Sequence, residues 1–484
     1  MKFFPNLWAW RLADYKKVRY TQLKRLGIFN MLRQIFVLGF TFFALFFGAG
    51  NLIFPIKLGW ESGLHFPSAV AGFLVTGVGL PILGLAAGTL TSGGVVRFLN
   101  EKLGKVFSTI FLTIIYLCIG PLFVIPRTAS TSYTIGVMPY LNHHHAVYLF
   151  IFSLIYFAAV LSLSLKPGRL ANSIGQFLTP ILLLTLIILS AFAFYHLGDH
   201  VADVKGDFLS TPAFTNGFTA GYMTMDAMAP FAFSMIAFSS LAAMGVTRSK
   251  EVIRITIFSC LVAATCLVLV YISLTWIGNH FPVNAQDMAK AQAEQIHEGA
   301  YILATAAHQL LGIFGPVVVS LTVALACLTT AAGLTVALSD YFFRHLRENL
   351  PFFRYSSYVL LISFLSLLIS NLGLNEIIKL SVPVLTFLYP VAILIIFLIL
   401  IDELFGLHSI PCRLTVTVTT FVSLICVLLP KQSIQFFRNY YHMLGINLSS
   451  LTFVWVLPAV ITLFASCLVF HPLRMHHHTD VDNK

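Results

Sequence analysis

The feature that most constrains the fold is an interruption inside the first long apolar segment, residues 35–57. The middle of this segment reads FALFFGAGNLIFP; Gly48 and Gly50 flank one alanine, Asn51 follows, and Pro55 closes the run. A glycine inside a helix costs about 1 kcal/mol relative to alanine, and a proline costs about 3 kcal/mol. Broken backbone at membrane depth is tolerated only where it is buried in protein or lines a watery cavity. The interruption therefore predicts an internal binding site.

Composition places the chain in a membrane. Of its 484 residues, 58% are hydrophobic and 10% are charged, whereas soluble domains contain about 25% charged residues. The net charge of +11 does not indicate nucleic-acid binding, because the basic residues collect at the ends of apolar segments, as the positive-inside rule describes. The seven cysteines show no CxxC spacing, so neither a disulfide framework nor a metal cluster is expected. We predict an all-α integral membrane protein in contact with the lipid bilayer.

Twelve stretches of the chain are long enough to span a membrane. Each transmembrane helix needs about 20 mostly apolar residues. Of the 29 Lys and Arg residues, 22 lie in the N-terminal tail, every second connection and the C-terminal tail. Because cytoplasmic loops carry the excess of positive charge, both termini are predicted to be cytoplasmic. The segments are residues 35–57, 68–90, 106–137, 146–165, 172–197, 213–245, 253–278, 314–340, 355–371, 376–401, 411–430 and 449–470.

The sixth segment carries a second interruption, five segments after the first. Gly217 and Gly221 precede the run YMTMD, which ends at Asp226, and Pro230 follows. Two helices broken at corresponding places predict a five-plus-five inverted repeat, with the binding site where the breaks meet. The predicted units are a basic cytoplasmic tail (1–34), a first five-helix repeat (35–197), a second five-helix repeat (213–401), two additional transmembrane helices (411–470) and a cytoplasmic C-terminal tail (471–484).

Asp226 is the one carboxylate deep inside an apolar segment. A charge there costs about 2.5 to 3.5 kcal/mol on insertion scales, so a compensating role is expected. Two interpretations are open: Asp226 binds a cation or a substrate ammonium group, or it forms an ion pair with Arg127 that only joins segments 3 and 6. Arg127 is thus a candidate for charge pairing. It could also neutralise another carboxylate or extend its side chain to the membrane interface.

The connection between segments 7 and 8 is long, and residues 284–311 within it have helical spacing. An amphipathic helix here would either close a substrate path as a lid or simply cover the helices beneath it. The sequence lacks GxxxxGK[ST], which argues against ATP-driven transport, and it lacks HExxH. A membrane enzyme would need several catalytic residues together, and Asp226 alone does not provide them, so an enzyme is not expected. A channel would need a continuous polar stripe, which the segments do not show.

Segment 8 contains adjacent hydroxyls in the run ACLTT. Thr329 and Thr330 follow Ala326 by about one helical turn, so two hydroxyls and a backbone carbonyl lie close together. Neutral oxygens of this kind suit hard cations. Threonines also bond to carbonyls of their own helix, so this run alone does not distinguish a cation site from ordinary packing.

Four motifs in this order resemble the branched-chain amino acid:cation symporter family of bacteria: GAGNLIFP from Gly48, GPLFVIPRT from Gly120, GYMTMDAMAP from Gly221 and ACLTTAAGLT from Ala326. The resemblance covers residues 35–470. It implies the LeuT-type fold, in which helices 1 and 6 are broken and two helices follow the inverted repeat. It also implies import of leucine, isoleucine and valine with Na⁺ or H⁺ across the bacterial inner membrane, without a cofactor or an obligate protein partner. The alternative is a proton-coupled or exchange carrier for another small neutral amino acid.

The resemblance further implies which residues bind the ion and the substrate. Those implied for Na⁺ are the carbonyls of Ala44 and Phe47 together with Ala326, Thr329 and Thr330. Those implied for the substrate are Gly48, Ala49, Gly50 and Asn51 at the first break and Tyr222, Thr224 and Asp226 at the second. The half-helix after Gly48 would receive the substrate carboxylate at its N-terminus, where free N–H groups and the helix dipole favour anions. Apolar residues around the breaks would surround the aliphatic side chain.

Overall fold

The computed structural model describes residues 30–91, 94–141, 145–166, 174–198, 200–246, 249–346, 353–429, 435–437, 439–441 and 451–470. Regular secondary structure within these ranges is helical, with no β-strand. The predicted tails, residues 1–34 and 471–484, lie outside the described residues except for the last residues of the first tail, which begin a helix.

The first segment is broken as predicted. Helix α1 spans Asn30–Phe46 and helix α2 spans Ala49–Ser62. Gly48 between them is extended, with φ −121° and ψ −159°. One detail differs from the sequence-based expectation: Pro55 lies inside α2, which continues to Ser62. A proline within a helix removes one backbone hydrogen bond, and here that loss does not end the helix.

The second and third segments each contain a turn of π-helix. Within segment 3 this turn, Cys118–Leu122, contains Gly120 in a non-helical conformation (φ −93°, ψ −121°) next to Pro121. Turns of this kind are frequent at functional sites, and this third interruption was not predicted. The elements in order are α3 (Phe66–Leu74), the π-turn Val75–Gly79, α4 (Leu80–Leu90), α5 (Gly94–Lys102), α6 (Lys105–Leu117), the π-turn Cys118–Leu122 and α7 (Val124–Gly136).

The sixth segment consists of α10 (Ala213–Tyr222) and α11 (Pro230–Ala243), which confirms the second break. The residues between them form turns, and Met225 has a φ of +66°, which is unusual for a residue other than glycine. Preceding α10 are α8 (Ala146–Ser164), the π-turn Ile174–Leu178 and α9 (Thr179–His196).

The remaining helices match predicted segments 7 to 12 and the long connection before segment 8. They are α12 (Ser249–His280), α13 (Ala285–Ala293), α14 (Glu298–Leu311), α15 (Phe314–Leu346), α16 (Tyr355–Ser370), α17 (Leu374–Phe405), α18 (Ser409–Leu428) and α19 (Val456–Phe470). Short 3₁₀ turns occupy Gly63–His65, Met138–Tyr140, Gly206–Leu209 and Leu451–Phe453. Among the described residues, eight helical stretches are long and apolar enough to cross a membrane, and four shorter apolar helices include α1 and α11.

Close packing at glycines positions the two half-helices α2 and α10. A Cβ atom at Gly217 of α10 would lie 1.9 Å from the Ala69 carbonyl oxygen of α3, and one at Gly59 of α2 would lie 2.0 Å from the Thr275 carbonyl oxygen of α12. Gly217 therefore allows backbone contact with α3, and Gly221 allows close contact with Thr76 in the π-turn that follows α3. Helix α10 continues through both glycines to Tyr222. The helix stops only after the glycines that were expected to interrupt it.

The connection before segment 8 forms two helices in place of the single amphipathic helix expected. They are separated at Glu294–His297, where Gln295 has a φ of +57°. Helix α14 packs against α2 so closely that a Cβ at Gly299 would lie 2.0 Å from the Ile53 carbonyl oxygen. This contact joins the connection to the half-helix that follows the first break.

Candidate functional site

The two breaks meet at a hydrogen-bonded group formed by Asn51, Asp226 and Tyr271. The Asn51 side-chain amide of α2 donates to Asp226 Oδ2 in the second break, and its nitrogen also lies within hydrogen-bonding distance of the Tyr271 hydroxyl of α12. The Tyr271 hydroxyl lies 3.5 Å from Asp226 Oδ2. All three side chains are buried. A buried carboxylate costs free energy unless donors surround it, and Asn51 and Tyr271 supply those donors.

Asn51 also orders the start of α2. Its side-chain oxygen accepts a hydrogen bond from the Gly48 N–H at 3.2 Å. Ala49 and Gly50, in the first turn of α2, have backbone N–H groups without a carbonyl partner earlier in the same helix. One asparagine thus connects the first break to the carboxylate of the second and leaves a helix N-terminus facing the site.

Arg127 of α7 is fully buried and contacts both breaks. Its Nη1 donates to the Met223 carbonyl at 2.7 Å and its Nη2 to the Thr224 carbonyl at 3.0 Å, at the C-terminal end of α10. The guanidinium carbon lies 5.5 Å from the centre of the Phe54 ring on α2. The guanidinium therefore binds the carbonyls of the second break, where a helix C-terminus favours positive charge, and its described hydrogen bonds do not include the Asp226 carboxylate.

The glycines of the first break are needed for close approach. A Cβ atom at Gly50 would lie 2.8 Å from Arg127 Nη2, and one at Gly48 would lie 2.9 Å from Thr330 Oγ1. Neither glycine has a positive φ. Their small size, and not a left-handed backbone conformation, is what the site requires.

Neutral oxygens converge where α15 passes the end of α1. Thr329 Oγ1 lies 3.0 Å from the carbonyl oxygens of both Ala44 and Ala326. Thr330 Oγ1 lies 3.3 Å from the Ala44 carbonyl oxygen and 3.1 Å from that of Leu45. All of these residues are buried. Hydroxyl and carbonyl oxygens gathered in this way fit the ligand preference of a small hard cation.

The structure brings together Ala44, Ala326, Thr329 and Thr330, as expected for the ion, and adds the Leu45 carbonyl beside Thr330. The Phe47 ring stacks on Phe43 at a centroid distance of 5.2 Å and packs against Tyr271, and the role of the Phe47 carbonyl as an ion ligand stays a prediction. The described hydrogen bonds around Thr329 and Thr330 do not include the Phe47 carbonyl. Which carbonyls face α15 depends on the rotation of α1 about its axis, and sequence spacing does not specify that rotation.

At the second break, the side chains of Thr224 and Tyr222 contact different parts of the structure. Thr224 Oγ1 lies 3.3 Å from the Asp226 N–H and donates to the Gly221 carbonyl at 2.7 Å. Tyr222 packs its ring against Tyr389 of α17 at a centroid distance of 4.2 Å and lines a separate cavity. The structure therefore places Tyr222 outside the group formed by Asn51, Asp226 and Tyr271.

Known proteins are similar to this chain in sequence and in fold. The profile of a family described as branched-chain amino acid transport protein matches residues 31–472. The chain belongs to this family. A branched-chain amino acid carrier protein of Staphylococcus saprophyticus is 43% identical over 400 residues, which cover 82% of this chain and 88% of the relative. A carrier protein of the same description from Staphylococcus haemolyticus is 44% identical over 401 residues, covering 82% and 89%.

Two solved structures confirm the predicted fold class of this transporter. The nucleobase-cation-symport-1 family transporter MHP1, closed with bromovinylhydantoin bound, has a TM-score of 0.54 and 14% identity and covers 90% of this chain and 93% of its own. MhsT in complex with L-phenylalanine has a TM-score of 0.51 and 14% identity and covers 90% and 98%. The transporter therefore has the LeuT-type fold, and as a secondary transporter it is not an enzyme.

A cavity of about 930 Å³, here called the vestibule, leads toward the site from the α13–α14 side. Phe54 and Met223, both in contact with Arg127, form part of its lining. Its charged wall includes Lys57 of α2, whose Nζ lies 3.2 Å from Glu298 and 3.7 Å from Glu61. The vestibule of the transporter thus reaches the residues that cover the site.

His297 begins helix α14 at the edge of this vestibule. Its Nδ1 accepts a hydrogen bond from the Gly299 N–H at 3.2 Å, and its ring packs edge-on against Phe54 at 5.6 Å. Burial lowers the pKa of His297 to about 4, and the nearby positive charge of Lys57 acts in the same direction. Burial alone would raise the pKa of Glu298, but Lys57 lowers it below its usual value. In the folded transporter at neutral pH, His297 is therefore neutral and Glu298 is ionised.

The first prediction concerns the pH dependence that His297 contributes. Because its pKa is lower in the folded transporter than the ordinary 6.5, its contribution to stability is complete above pH 6.5 and falls as pH decreases toward 4. His297→Asn keeps a side chain that caps helices but does not titrate. Between pH 7 and pH 5, the melting temperature of the wild type is expected to decrease by about 2 to 4 °C more than that of the variant. Equal decreases measured by thermal unfolding of the purified proteins would contradict this.

Proposed function

We propose that the transporter imports leucine, isoleucine and valine by symport with Na⁺. The observation that carries this proposal is the convergence of the Thr329 and Thr330 hydroxyls with the Ala44 and Leu45 carbonyls at the end of α1 and with the Ala326 carbonyl of α15. These oxygens lie between the last turn of α1 and α15, so a bound cation would draw the two helices together. Binding of an ion would then favour one arrangement of the broken helix, which is how ion and substrate binding become coupled.

The second part of the proposal is the recognition of an amino acid. The N-terminus of α2 at Ala49 and Gly50 would bind the substrate carboxylate through free N–H groups. Asp226 would orient the substrate ammonium group, since it is the buried carboxylate at the meeting point of the breaks. Phe46 and Phe233, which pack edge-to-face at 5.3 Å, belong to the apolar surroundings of the breaks that suit an aliphatic side chain. The relatives named as branched-chain amino acid carriers support this choice of substrate.

Sodium is preferred to a proton because the hydroxyl and carbonyl oxygens that converge at Thr329 and Thr330 suit a hard cation and include no group that titrates. Asp226 accepts a hydrogen bond from Asn51 and lies near the Tyr271 hydroxyl, but its burial opposes the ionised form. A proton-coupled carrier, in which Asp226 itself carries the proton, is the second candidate. We further propose that the vestibule faces the outside of a bacterial inner membrane, with both termini in the cytoplasm, as the charge asymmetry predicts.

Counterflow in proteoliposomes tests the function as a whole. Vesicles preloaded with unlabelled leucine and diluted into a trace of labelled leucine are expected to accumulate the label transiently when Na⁺ is present on both sides. Alanine or glycine as the preloaded solute is expected to give a smaller overshoot. Accumulation without overshoot, or an overshoot produced only by another neutral amino acid, would contradict the proposal.

A second prediction tests the cation ligands directly. Thr330→Val removes the hydroxyl while keeping the shape of the side chain, and it is expected to raise the Na⁺ concentration for half-maximal leucine uptake about tenfold, which corresponds to about 1.4 kcal/mol of binding free energy. The matched control is Thr335→Val on the same helix, because the Thr335 hydroxyl is also buried and donates to the Ala331 carbonyl of its own helix. An unchanged sodium dependence in Thr330→Val, or an equal change in the control, would remove Thr330 from the site.

A further inference from the structure

One edge of the Arg127 guanidinium keeps hydrogen-bonding capacity beside the first break. A guanidinium carries five N–H groups in a fixed planar fork. Two of them, on Nη1 and Nη2, donate to the Met223 and Thr224 carbonyls. The Arg127 Nε is buried and has no hydrogen-bond partner within the described part of the chain. Because Nε and Nη2 lie on the same edge of the guanidinium, this edge can bind the two oxygens of a carboxylate through parallel hydrogen bonds.

The Nη2 side of this guanidinium lies against the N-terminal turn of α2. A Cβ atom at Gly50 would lie 2.8 Å from Arg127 Nη2 and 3.2 Å from its Cζ, so the guanidinium is in contact with the backbone there. Helix α2 has 14 residues, and the N–H groups of its first turn have no carbonyl partner in the same helix. The partial positive charge of a helix N-terminus and the charge of Arg127 together favour an anion at this place.

The described hydrogen bonds of Arg127 do not include a carboxylate. They go to backbone carbonyls, whereas Asp226, the buried carboxylate of the same site, accepts from Asn51. A buried charge without a hydrogen-bonded opposite charge is costly. The site therefore presents a positive and a negative group that can each pair with a ligand, and a zwitterionic amino acid carries the complementary pair of charges.

We propose that Arg127 determines the specificity of the transporter for a substrate with a free carboxylate. The edge formed by Nε and Nη2 would bind the two carboxylate oxygens, and the N–H groups of Ala49 and Gly50 would approach the same carboxylate from α2. Nη1 and Nη2 would keep their hydrogen bonds to the end of α10, so one side chain contacts both the substrate and the second break. This inference rests on the proposed function, because it assigns a residue to the carboxylate of the proposed substrate.

A comparison of leucine with leucinamide tests this role. Leucinamide keeps the ammonium group and the aliphatic side chain but has a neutral amide in place of the carboxylate. Dissociation constants are obtained from the ligand-dependent increase in melting temperature of the purified transporter in NaCl, at a pH where the amine of leucinamide is protonated. The wild type is expected to bind leucine at least about thirtyfold more tightly than leucinamide, because hydrogen bonds between charged groups are lost with the amide.

Arg127→Gln is expected to lose most of this preference. Its amide can still donate to a carbonyl of α10, so leucine binding is expected to weaken at least about thirtyfold and leucinamide binding less than about threefold. Arg127→Lys keeps the charge without the planar fork and is expected to retain part of the preference. The matched control is Lys102→Gln, because Lys102 is a half-buried cation that pairs with Asp402 at 2.8 Å, away from the breaks; it is expected to keep the wild-type preference.

The outcomes separate this inference from the proposed function. Equal weakening of leucine and leucinamide binding in Arg127→Gln would overturn the inference and leave the proposed function standing, because a residue that only holds the second break affects both ligands alike. Wild-type transporter that binds leucinamide as tightly as leucine would also overturn it, even if Arg127→Gln fails to fold. No leucine binding by the wild type would overturn the proposed function together with the inference.

Chloride is another small anion that this edge would accept. Replacing chloride with gluconate in the binding assay is expected to leave the affinity of the wild type for leucine unchanged, since the proposal assigns the edge to the substrate carboxylate. A chloride requirement in the wild type that disappears in Arg127→Gln would overturn the inference and assign the edge to chloride.

Discussion

In Gly50→Leu, leucine uptake driven by a sodium gradient is expected to fall at least about a hundredfold. The added Cβ alone would lie 2.8 Å from Arg127 Nη2 and 3.1 Å from the Phe54 ring, so the larger side chain must displace the guanidinium. Arg127 would then lose its hydrogen bonds to the Met223 and Thr224 carbonyls. Hydrogen bonds to charged groups are each worth about 1.5 to 3 kcal/mol, so the arrangement of the second break would change as well. Uptake into proteoliposomes measures the effect.

Two controls separate this effect from faulty insertion or folding. Gly79→Leu places the same side chain in segment 2, where a Cβ has one neighbour within 4 Å, the Leu74 carbonyl oxygen at 3.8 Å, and uptake is expected to stay within about twofold of the wild type. Gly50→Ala is expected to give an intermediate loss because its methyl group meets Arg127 without extending further. Near-normal uptake by Gly50→Leu would show that close approach of Arg127 to α2 is not required for transport.

Asp226→Asn is expected to produce a loss of similar size. The amide keeps the size of the carboxylate but removes the charge, and its nitrogen would place a donor where the carboxylate receives Asn51 and lies near Tyr271. If Asp226 orients the substrate ammonium group, this replacement removes a charge-assisted contact in a buried site, and uptake driven by a sodium gradient is expected to fall at least about a hundredfold. Asp340→Asn on α15, whose carboxylate pairs with Arg344 at 2.9 Å, is the control and is expected to transport normally.

The same variant distinguishes the two coupling ions. Leucine uptake by wild type and by Asp226→Asn is measured first under an imposed sodium gradient and then under a proton gradient without sodium. With sodium as the coupling ion, the proton gradient alone is expected to drive no uptake in either protein. Wild-type uptake driven by protons alone, and lost in the asparagine variant, would overturn the assignment of sodium and make Asp226 the proton carrier.

Much of the architecture could be predicted because it depends on local properties of the chain. The length of each apolar stretch sets how many helices span the membrane, and every one of the twelve predicted segments contains helix in the structure. The breaks at Gly48 and before Pro230 could be located because glycine, proline and polar residues inside apolar segments disfavour continuous helix. The repeat boundaries at 35–197 and 213–401 stay predictions.

Other parts of the site could not be predicted from the local sequence. Tyr271 lies in an unbroken apolar segment and is one of 17 tyrosines, so nothing in its surroundings distinguished it from a packing residue. The contacts of Thr330 with the Leu45 carbonyl and of Tyr222 with Tyr389 were not predicted, because helix rotation decides which side chain or carbonyl faces inward. The third interruption did leave a signal, since Gly120 is followed directly by Pro121 inside segment 3.

By itself, the sequence determined that this is a membrane protein with two broken helices and one deeply buried carboxylate, because hydropathy and backbone propensity act over a few neighbouring residues. Only the tertiary structure decided the partners of those features. Arg127 could have paired with Asp226, but it binds carbonyls at the end of α10, since packing of α7 between the breaks brings its guanidinium to that helix end. Contacts between residues about 100 or more positions apart depend on how helices pack and rotate against one another, and no local pattern encodes that arrangement.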